Sequence, residues 1–480
     1  MTTSSPEPSV SPYSKGRQNA VVATLAFAGM GASFMQTILI PIQSELPKLL
    51  NADPTDTAWV ITVTLLTAAI STPIAGRLGD MFGKKRIALV LMALLLIGSV
   101  VSAAAPGLIA LIIGRALQGT GMGVIPLGIS LLRDVVDSRR LGSSIALVSA
   151  TLGVGGAIGL PISALVTQNL DWHMLFVVAS VVAAAALVLI AVVAPADRDR
   201  APGRVDIVGA IGLAAGLVGV LLAISQGNTW GWGSKATLTC LIAGVLVLVG
   251  WGWFELRSKA PLVDLRVSAR PAVLTTNLAS VAMGFALFSS SIAFPQLLEL
   301  PSQVGGLGID LLPASLVLMP SGLAMLAMSP IAGRIERSIG PKPLLAAGAI
   351  VIVIAYAGCL FLPLTALSIA LINTVIGIGI GLGYAAMPAL IIGAVPRHET
   401  ASANGLNALM RAFGTTAASA LVGAILASST GADQASSFGI VFLLGLIAAV
   451  VCAGLALAIP RTKAEVPAAS AEAEQTVPAR

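Results

Sequence analysis

Long apolar stretches separated by short polar loops make up almost the whole chain. A helix that crosses a lipid bilayer needs about 20 predominantly apolar residues, and fourteen stretches of roughly that length follow one another. None of them alternates between apolar and polar positions with a period of two, which excludes a membrane β-barrel. The pattern predicts an all-α polytopic membrane protein whose fourteen spanning helices lie near residues 20–42, 57–76, 86–105, 107–132, 141–168, 174–194, 206–225, 236–256, 271–297, 311–332, 342–362, 366–394, 402–427 and 437–459.

The composition agrees with a membrane protein. Hydrophobic residues make up 56% of the chain and charged residues only 10%, whereas soluble domains carry about 25% charged residues. The 50 glycines suit close packing of helices in lipid. With two His and three Cys, little material exists for metal or redox chemistry, so we expect no metal site and no cofactor. Cys240, Cys359 and Cys452 lie in apolar stretches and are expected to be buried.

The basic residues indicate an orientation rather than a nucleic-acid partner. The net charge is +6, but the Lys and Arg residues lie in short loops, and such an excess is typical of cytoplasmic loops. With the N-terminus in the cytoplasm, 23 of the 27 fall on that side; the exceptions are Lys48 and Lys235 outside, and Arg115 and Arg411 within spans. We therefore expect both termini in the cytoplasm and a location in the bacterial inner (plasma) membrane.

Two pairs of similar segments predict an internal duplication. GRLGDMFGKKR at 76–86 matches GRIERSIGPKP at 333–343 with a spacing of 257 residues, and PIQSELP at 41–47 matches PQLLELP at 295–301 with a spacing of 254 for the shared Glu. We expect two six-helix halves with an extra helix pair between them. The predicted organisation is a disordered tail 1–19, halves 20–200 and 261–460, linker helices 201–260 and a disordered tail 461–480.

The segment at 76–86 carries the clearest candidate chemistry. Gly76 and Gly83 permit a tight reversal between helices. Asp80 is the one acid in a basic cluster that includes Arg86, so it can accept charge-assisted hydrogen bonds. An ordinary cytoplasmic loop would explain the basic residues, but it would not explain Asp80 framed by glycines.

This segment resembles the signature of the major facilitator superfamily, and further segments are similar to that family. LIIGRALQGTGMG at 111–123 resembles its drug-export motif, and GVGGAIGLPISA at 153–164 resembles the antiporter motif of its exporters. DWHMLF at 171–176 resembles the turn before helix 6, with His173 where Arg is usual. Residues 202–270 resemble the linker helices of the fourteen-helix drug:proton antiporter branch. The resemblance implies a transporter rather than an enzyme, and a gating role for Gly76, Asp80, Gly83, Arg86, Gly155, Gly159 and Pro161. It also implies a bond from Asp80 to a helix of the other half.

The chain departs from the family pattern at several positions. The Pro of the antiporter motif is displaced to Pro161, and Ser163-Ala164 replaces a glycine pair. No acid occurs in helix 1 before Glu45, and Arg337 occupies the second-half position of Asp80. These departures leave open which ion is coupled and what charge the substrate carries.

Charged residues near the membrane interior supply the remaining candidates. Arg115 with Gln118 at i+3, and Arg411, are candidates for the cavity, although snorkelling or a structural pair would also explain the arginines. Glu45 and Glu299 are candidates for proton uptake, because each is followed by Leu-Pro and is predicted to end the first helix of its half; a solvated helix-ending turn is the alternative. Glu255 is expected to be a solvated residue at a helix end. No acid lies in the middle of a predicted span, which favours neutral or zwitterionic substrates.

The leading hypothesis is a secondary active transporter that exports small amphipathic compounds (drugs or metabolites) in exchange for protons by alternating access. No segment matches G-x-x-x-x-G-K-[ST], so ATP is not the expected direct energy source. The alternatives are a proton-coupled importer of the same fold and a membrane sensor that does not transport. The expected partners are a small-molecule substrate, protons and the lipid bilayer, with no nucleic acid, and we expect a monomer.

Overall fold

The computed structural model describes residues 11–39, 42, 45–57, 59–196, 206–258, 261–428 and 434–460. Within these residues it contains fourteen helices that are long and apolar enough to cross a membrane. The predicted all-α fold class with fourteen spanning helices is confirmed. The C-terminal tail, most of the N-terminal tail, and the predicted domain boundaries at 200–201 and 260–261 lie outside the described residues.

We number the spanning helices α1 to α14. They are Lys15–Thr37, Trp59–Phe82, Lys84–Ala103, Leu108–Val135, Ser138–Asn169, His173–Val193, Ile207–Trp230, Lys235–Arg257, Pro271–Glu299, Leu311–Ile339, Pro341–Phe361, Ala366–Ala394, Thr400–Ser428 and Gln434–Ala458. A 3₁₀ turn, Gly121–Gly123, interrupts α4. Shorter helical pieces are Leu46–Leu49, Pro54–Thr57, Leu265–Ser268, Ser302–Val304 and Arg397–Glu399.

The segment at 76–86 is helical almost throughout, which corrects the expectation of a loop. Helix α2 continues to Phe82, and only Gly83, with φ 109°, separates it from α3. In the second half, α10 likewise continues to Ile339, and Gly340, with φ 87°, begins the turn to α11. Both glycines adopt a backbone conformation that other residues rarely take. Asp80 therefore lies in the last turn of a helix, where its position is fixed.

The two halves repeat one packing pattern. In the first half α1 packs on α5 and α6, α3 on α4 and α6, and α2 on α4. In the second half α9 packs on α13 and α14, α11 on α12 and α14, and α10 on α12, which are the same pairs eight helices further along. The predicted arrangement of two six-helix halves with two linker helices is confirmed.

The halves meet through two equivalent helix pairs. Helix α5 packs along α10, and α2 packs along α13. The linker helices α7 and α8 pack on each other, and α7 also packs on α2 and α13. We call the end of the bundle where α1 begins and α14 ends the terminal face, and the other end the opposite face. The contacts at the terminal face position the candidate site.

Candidate functional site

Asp80 joins the two halves at the terminal face. Its side chain is 2% exposed, and its carboxylate accepts the backbone N–H groups of Ala401 at 3.3 Å and Ser402 at 2.9 Å. These groups lie in the first turn of α13, where backbone N–H groups have no partner within the helix. A carboxylate at this position also interacts favourably with the positive end of the helix dipole. The structure thus places Asp80 against a helix of the other half, as the resemblance implies.

Two further features of the motif support this contact. A β-carbon on Gly76 would lie 2.5 Å from the carbonyl oxygen of Ala401, so only glycine allows the backbones to approach so closely. Lys84 forms an ion pair with Asp134 at 2.5 Å, which ties the start of α3 to the end of α4. Arg86 is exposed, so its side chain takes no part in this buried contact.

The end of α4 makes a second polar contact with α13. The guanidinium of Arg133 donates to the hydroxyl of Thr400 at 2.5 Å, one residue before the N–H groups that Asp80 accepts. Thr400 is fully buried. The first turn of α13 is therefore held from both α2 and α4.

The pair α5 and α10 repeats this contact in the other half. A β-carbon on Gly333 would lie 2.5 Å from the α-carbon of Ser143, and Gly333 is the repeat equivalent of Gly76. The carboxylate of Glu336 lies against Gly142, close enough that a β-carbon there would meet its Oε2 at 2.2 Å. Arg337 extends outward instead and donates to the carbonyl of Arg139 at 3.1 Å. An acid thus faces the neighbouring half in the second repeat too, one residue before the expected position.

Helix α5 presents small residues to α1. A β-carbon on Gly155 would meet the carbonyl oxygen of Met30 at 2.5 Å, and one on Gly159 would meet the hydroxyl of Thr37 at 2.1 Å. Four residues further on, the hydroxyl of Ser163 donates to the carbonyl of Ile38 at 2.5 Å. The replacement of a glycine by Ser163 therefore adds a hydrogen bond at the end of α1.

Pro161 lies buried within α5 and does not end the helix, which runs on to Asn169. A proline removes one backbone hydrogen bond from a helix interior. The antiporter-like segment is thus a continuous helix in this conformation.

Arg115 is fully buried inside the first half. Its guanidinium donates to the carbonyl of Met35 at 2.7 Å, the carbonyl of Val60 at 3.3 Å and the Oε1 atom of Gln118 at 2.9 Å. Gln118 in turn donates to the hydroxyl of Ser99 at 2.8 Å. The arginine therefore joins α1, α2 and α4, and in this conformation it has no surface on an open cavity.

Arg411 has a different environment in the second half. Its guanidinium lies 4.9 Å from the ring centroid of Tyr384 on α12, a cation–π distance. Its backbone packs against Gly284 of α9. The two membrane arginines are therefore not brought together.

Glu45 and Glu299 are both exposed at the opposite face. Glu299 is the last residue of α9, as predicted. Glu45 does not end the first helix, because α1 ends at Thr37 and Glu45 lies in the turn before the short helix Leu46–Leu49. The two glutamates thus occupy related but not equivalent places.

The turn before α6 uses His173 in place of the usual arginine. Its Nδ1 atom lies 2.5 Å from the Oδ1 atom of Asp171, and its Nε2 atom lies 3.2 Å from the carbonyl oxygen of Ala105. The backbone N–H and the ring of His173 lower the pKa of Asp171. This arrangement fastens α6 to the turn after α3.

Sequence reasoning missed two groups of buried polar residues. Glu255, expected to be solvated, is only 3% exposed, because the chain after α8 folds back and Leu262 donates its N–H to the carboxylate at 3.0 Å. Asn407 donates to Asn277 at 2.9 Å and to Ser280 at 2.7 Å between α13 and α9. Asparagines inside apolar stretches were the available signal for the second group, whereas nothing local marked Glu255.

Two six-helix halves with one repeated packing pattern define the architecture of a secondary membrane transporter. The family model of the Major Facilitator Superfamily matches residues 25–419, and the chain belongs to this superfamily. It is a transporter and not an enzyme, and its fourteen spanning helices fit the fourteen-helix drug:proton antiporter branch.

Several bacterial proteins are similar over most of the chain. The lincomycin resistance protein LmrB of Listeria monocytogenes is 28% identical over 372 residues, which cover 77% of this chain and 78% of that protein. The multidrug resistance protein B homolog of Mycobacterium tuberculosis is 28% identical over 414 residues, or 82% of this chain and 74% of that protein.

Solved structures share the fold at low identity. The human organic anion transporter MFSD10 superposes with a TM-score of 0.64 at 14% identity, covering 91% of this chain and 99% of that one. The proton:xylose symporter XylE gives a TM-score of 0.61 at 13% identity, covering 91% and 95%. Since these proteins differ in substrate, the likeness concerns the fold alone.

Proposed function

We propose that this protein exports small amphipathic compounds in exchange for protons, by alternating access, as a monomer with both termini in the cytoplasm. The observation that carries the proposal is the contact of Asp80 with the first turn of α13. It joins the two halves at the terminal face through two hydrogen bonds to a single carboxylate. Such a contact is suited to break and re-form as the halves rock.

The distribution of basic residues supports the orientation. Lys and Arg are concentrated at the terminal face, so this face is cytoplasmic under the positive-inside rule. The conformation described above then has its cytoplasmic side closed. The names of the two bacterial relatives, a lincomycin resistance protein and a multidrug resistance protein homolog, favour export of drug-like compounds.

Glu45 and Glu299 are the acids proposed to take up the coupled proton. Both are exposed while the terminal face is closed, as expected for groups that exchange protons with the outside. Closure of the opposite face would remove water from both carboxylates. Desolvation of a carboxylate favours its protonated form, so the two states would differ in proton affinity.

Inverted membrane vesicles test the proposal directly. A vesicle with an acidic interior should accumulate a lincosamide, and collapse of the pH gradient should abolish the accumulation. Vesicles without the protein serve as the control. Uptake driven only by the opposite gradient would mean import, and flux that no gradient changes would refute proton coupling.

A further inference from the structure

Linker helix α7 contacts both halves at once. A buried apolar cluster joins α7 to α2 and α13; it includes Ala69, Leu213, Leu217, Leu221, Leu262 and Leu409. Near the opposite face the hydroxyls of Thr62 and Ser225 lie 3.1 Å apart, and Asn228 donates to the carbonyl of Ala420 at 2.8 Å. A helix that touches both halves must change its contacts when they move. The linker helices are therefore placed to influence gating.

A buried carboxylate lies where α8 ends. Glu255 is 3% exposed, and its Oε2 atom accepts the N–H of Leu262 at 3.0 Å. Its Oε1 atom has no hydrogen-bond partner among the described residues. The indole Nε1 of Trp251 lies toward the carboxylate and interacts with it, although outside regular hydrogen-bond geometry. A buried oxygen without a partner is rare in native proteins.

A second carboxylate lies beside it. Asp206 caps α7 by accepting the N–H of Gly209 at 2.6 Å, and it also accepts the hydroxyl of Ser258 at 3.4 Å. A β-carbon on Gly209 would lie 2.6 Å from Oε1 of Glu255 and 2.8 Å from Oδ2 of Asp206, so the two acids are neighbours. Neither forms an ion pair with any described residue.

The other charged groups around Glu255 come from three places. Arg77 of α2 interacts electrostatically with both Glu255 and Asp80, and Lys84, which also acts on Asp80, is paired with Asp134. On α8 itself, Arg257 stacks on Trp253 at 3.9 Å. In the following segment Asp264 caps a short helix, and Arg266 donates to the carbonyl of Leu256. Glu255 and Asp80 therefore share Arg77 as a counter-charge.

Three hydrogen bonds connect Glu255 to the closed gate. Leu262 donates its N–H to Glu255, and its carbonyl accepts the hydroxyl of Ser402 at 3.3 Å. Ser402 donates its own N–H to Asp80 at 2.9 Å. Leu262 is thus held by the linker acid through its N–H and by the first turn of α13 through its carbonyl.

We propose that Glu255 and Asp206 form a proton-binding carboxyl pair whose protonated form holds the terminal face closed through Leu262 and Ser402. A proton taken from water at that face binds Oε1 of Glu255, which then donates toward Asp206. Protonation removes the repulsion between the two carboxylates. The positive charge of Arg77 then interacts with Asp80 alone. Loss of the proton to the same water restores two adjacent negative charges, and their repulsion and lost hydration favour opening of the terminal face, where water reaches them.

The consequence is regulation of the proposed transporter by the acidity of the cytoplasm. A ligand that binds one state better shifts the population toward that state, and here the ligand is a proton and the state is the closed terminal face. The inference rests on the proposed function for its physiological meaning. Its structural content, a pH-dependent contact between α2 and α13, is measurable without transport.

Distances between spin labels across the gate test the inference. Phe82→Cys and His398→Cys place labels at exposed sites on the two sides of the Asp80 contact, after replacement of Cys240, Cys359 and Cys452. The full-length protein in lipid nanodiscs is measured by double electron–electron resonance over a pH series, without substrate or gradient. The background variants are Glu255→Gln, Asp206→Asn and, as a matched control at the opposite face, Asp310→Asn.

In the parent protein the ratio of closed to open populations should fall as the pH rises, by up to about tenfold per pH unit for one proton. Glu255→Gln keeps the acceptor for Leu262 and cannot ionise, so it should stay closed at every pH. Asp206→Asn should move the transition to lower pH, whereas Asp310→Asn should behave as the parent.

Two results would overturn the inference. One is a parent protein whose distances do not respond to pH; the other is a Glu255→Gln variant that keeps the parent's response or is open at every pH. The last outcome would make Glu255 a purely structural acceptor. Because the distances need no substrate, failure of the vesicle transport assay refutes the proposed function and leaves this result standing.

Discussion

The acids and arginines of this chain differ by what surrounds each side chain. Asp80 is buried but meets two unpaired N–H groups of a helix, whereas Glu255 is buried with one oxygen that no described residue satisfies. Arg115 is buried and meets two carbonyls and an amide oxygen. The physical role of each residue follows from these partners rather than from its type.

Asp80→Asn should leave expression near normal and cut transport strongly. The variant keeps one acceptor oxygen but loses the charge, and a charge at a helix end is worth about 0.3–1 kcal/mol, up to about 2 in buried geometry. A change of that size shifts a two-state balance by up to about thirtyfold. Flux in purified vesicles is the measurement. Near-parent flux would remove Asp80 from the mechanism, and Asp310→Asn is the control.

Arg115→Lys should lower the thermal unfolding midpoint by several degrees. A lysine cannot reach the carbonyls of Met35 and Val60 and the amide of Gln118 together, and a buried acceptor left without a partner costs about 1–3 kcal/mol. Unfolding of the detergent-solubilised protein measures the effect. Arg334→Lys, at an exposed position on α10, should leave the midpoint unchanged; equal midpoints for both would show that the buried contacts of Arg115 contribute nothing.

The N-terminal segment should come free on acidification. The backbone N–H of Ser11 and the side-chain amide of Gln18 hold the pKa of Asp137 below its usual range. A depressed carboxylate pKa means that the contact is present above the ordinary value, about 3.9, and is lost as the pH falls through the lower, folded-state value. Asp137→Asn should remove this pH dependence. Hydrogen exchange at the amides around Ser11 measures it, and acid-insensitive protection in the parent would contradict the prediction.

At the level of helices, close backbone approach requires small residues at chosen positions. Helix α5 uses one face for α1, through Gly155, Gly159 and Ser163, and another for α10, through Gly142 and Ser143. Helix α2 presents Gly76 to the partner half, and α10 presents Gly322 and Gly333. Opening of the terminal face would therefore separate these ends of α5 and α10, while α5 keeps its contacts with α1.

Gly333→Ala should open the terminal face and reduce transport at least tenfold. The added methyl would lie 2.5 Å from the α-carbon of Ser143, and a backbone atom cannot move aside as a flexible side chain can. Gly393→Ala is the matched control, because a β-carbon there meets nothing within 4 Å. Both changes raise helix propensity by about 1 kcal/mol. Label distances across the gate and vesicle flux are the measurements, and equal behaviour of the two variants would refute the steric argument.

At the scale of the molecule, the repeat makes the same contact twice. Gly76 meets Ala401, and Gly333 meets Ser143, so each half offers one helix end to a helix start of the other. The linker helices break this symmetry, because α7 packs on the α2–α13 pair. Of the two equivalent contacts between the halves, the one between α2 and α13 is therefore also held by α7.

Coupling is tested by Glu45→Gln and Glu299→Gln, alone and together. If these acids carry the proton, the double variant should lose gradient-driven transport and keep substrate exchange without a gradient, since neither glutamate contributes to the contacts at the terminal face. Transport and exchange in the same vesicle preparation are compared over a pH series. An unchanged pH dependence in the double variant would refute the proposal and direct attention to Asp80.

The length of each apolar stretch determined the helices. A membrane helix satisfies its backbone hydrogen bonds within itself and needs only enough apolar residues to cross the bilayer. The fourteen spans and the two halves were therefore predictable, and so was the chemistry of Asp80 through its resemblance to a family motif. The continuation of α2 to Phe82 was not predictable from apolar length, because its last turns are polar and are held by contacts with α13. The sequence alone determined the class of protein.

Only the tertiary structure decided which polar residues are buried and what they touch. Asp80 and Ser402 are separated by 322 positions in the chain, and no local pattern relates them. Glu255 lies at a helix end like many solvated acids, yet the fold-back of Leu262 and the missing side chain of Gly209 enclose it beside Asp206. Burial and pairing depend on which helices meet, and that is a property of the packed chain.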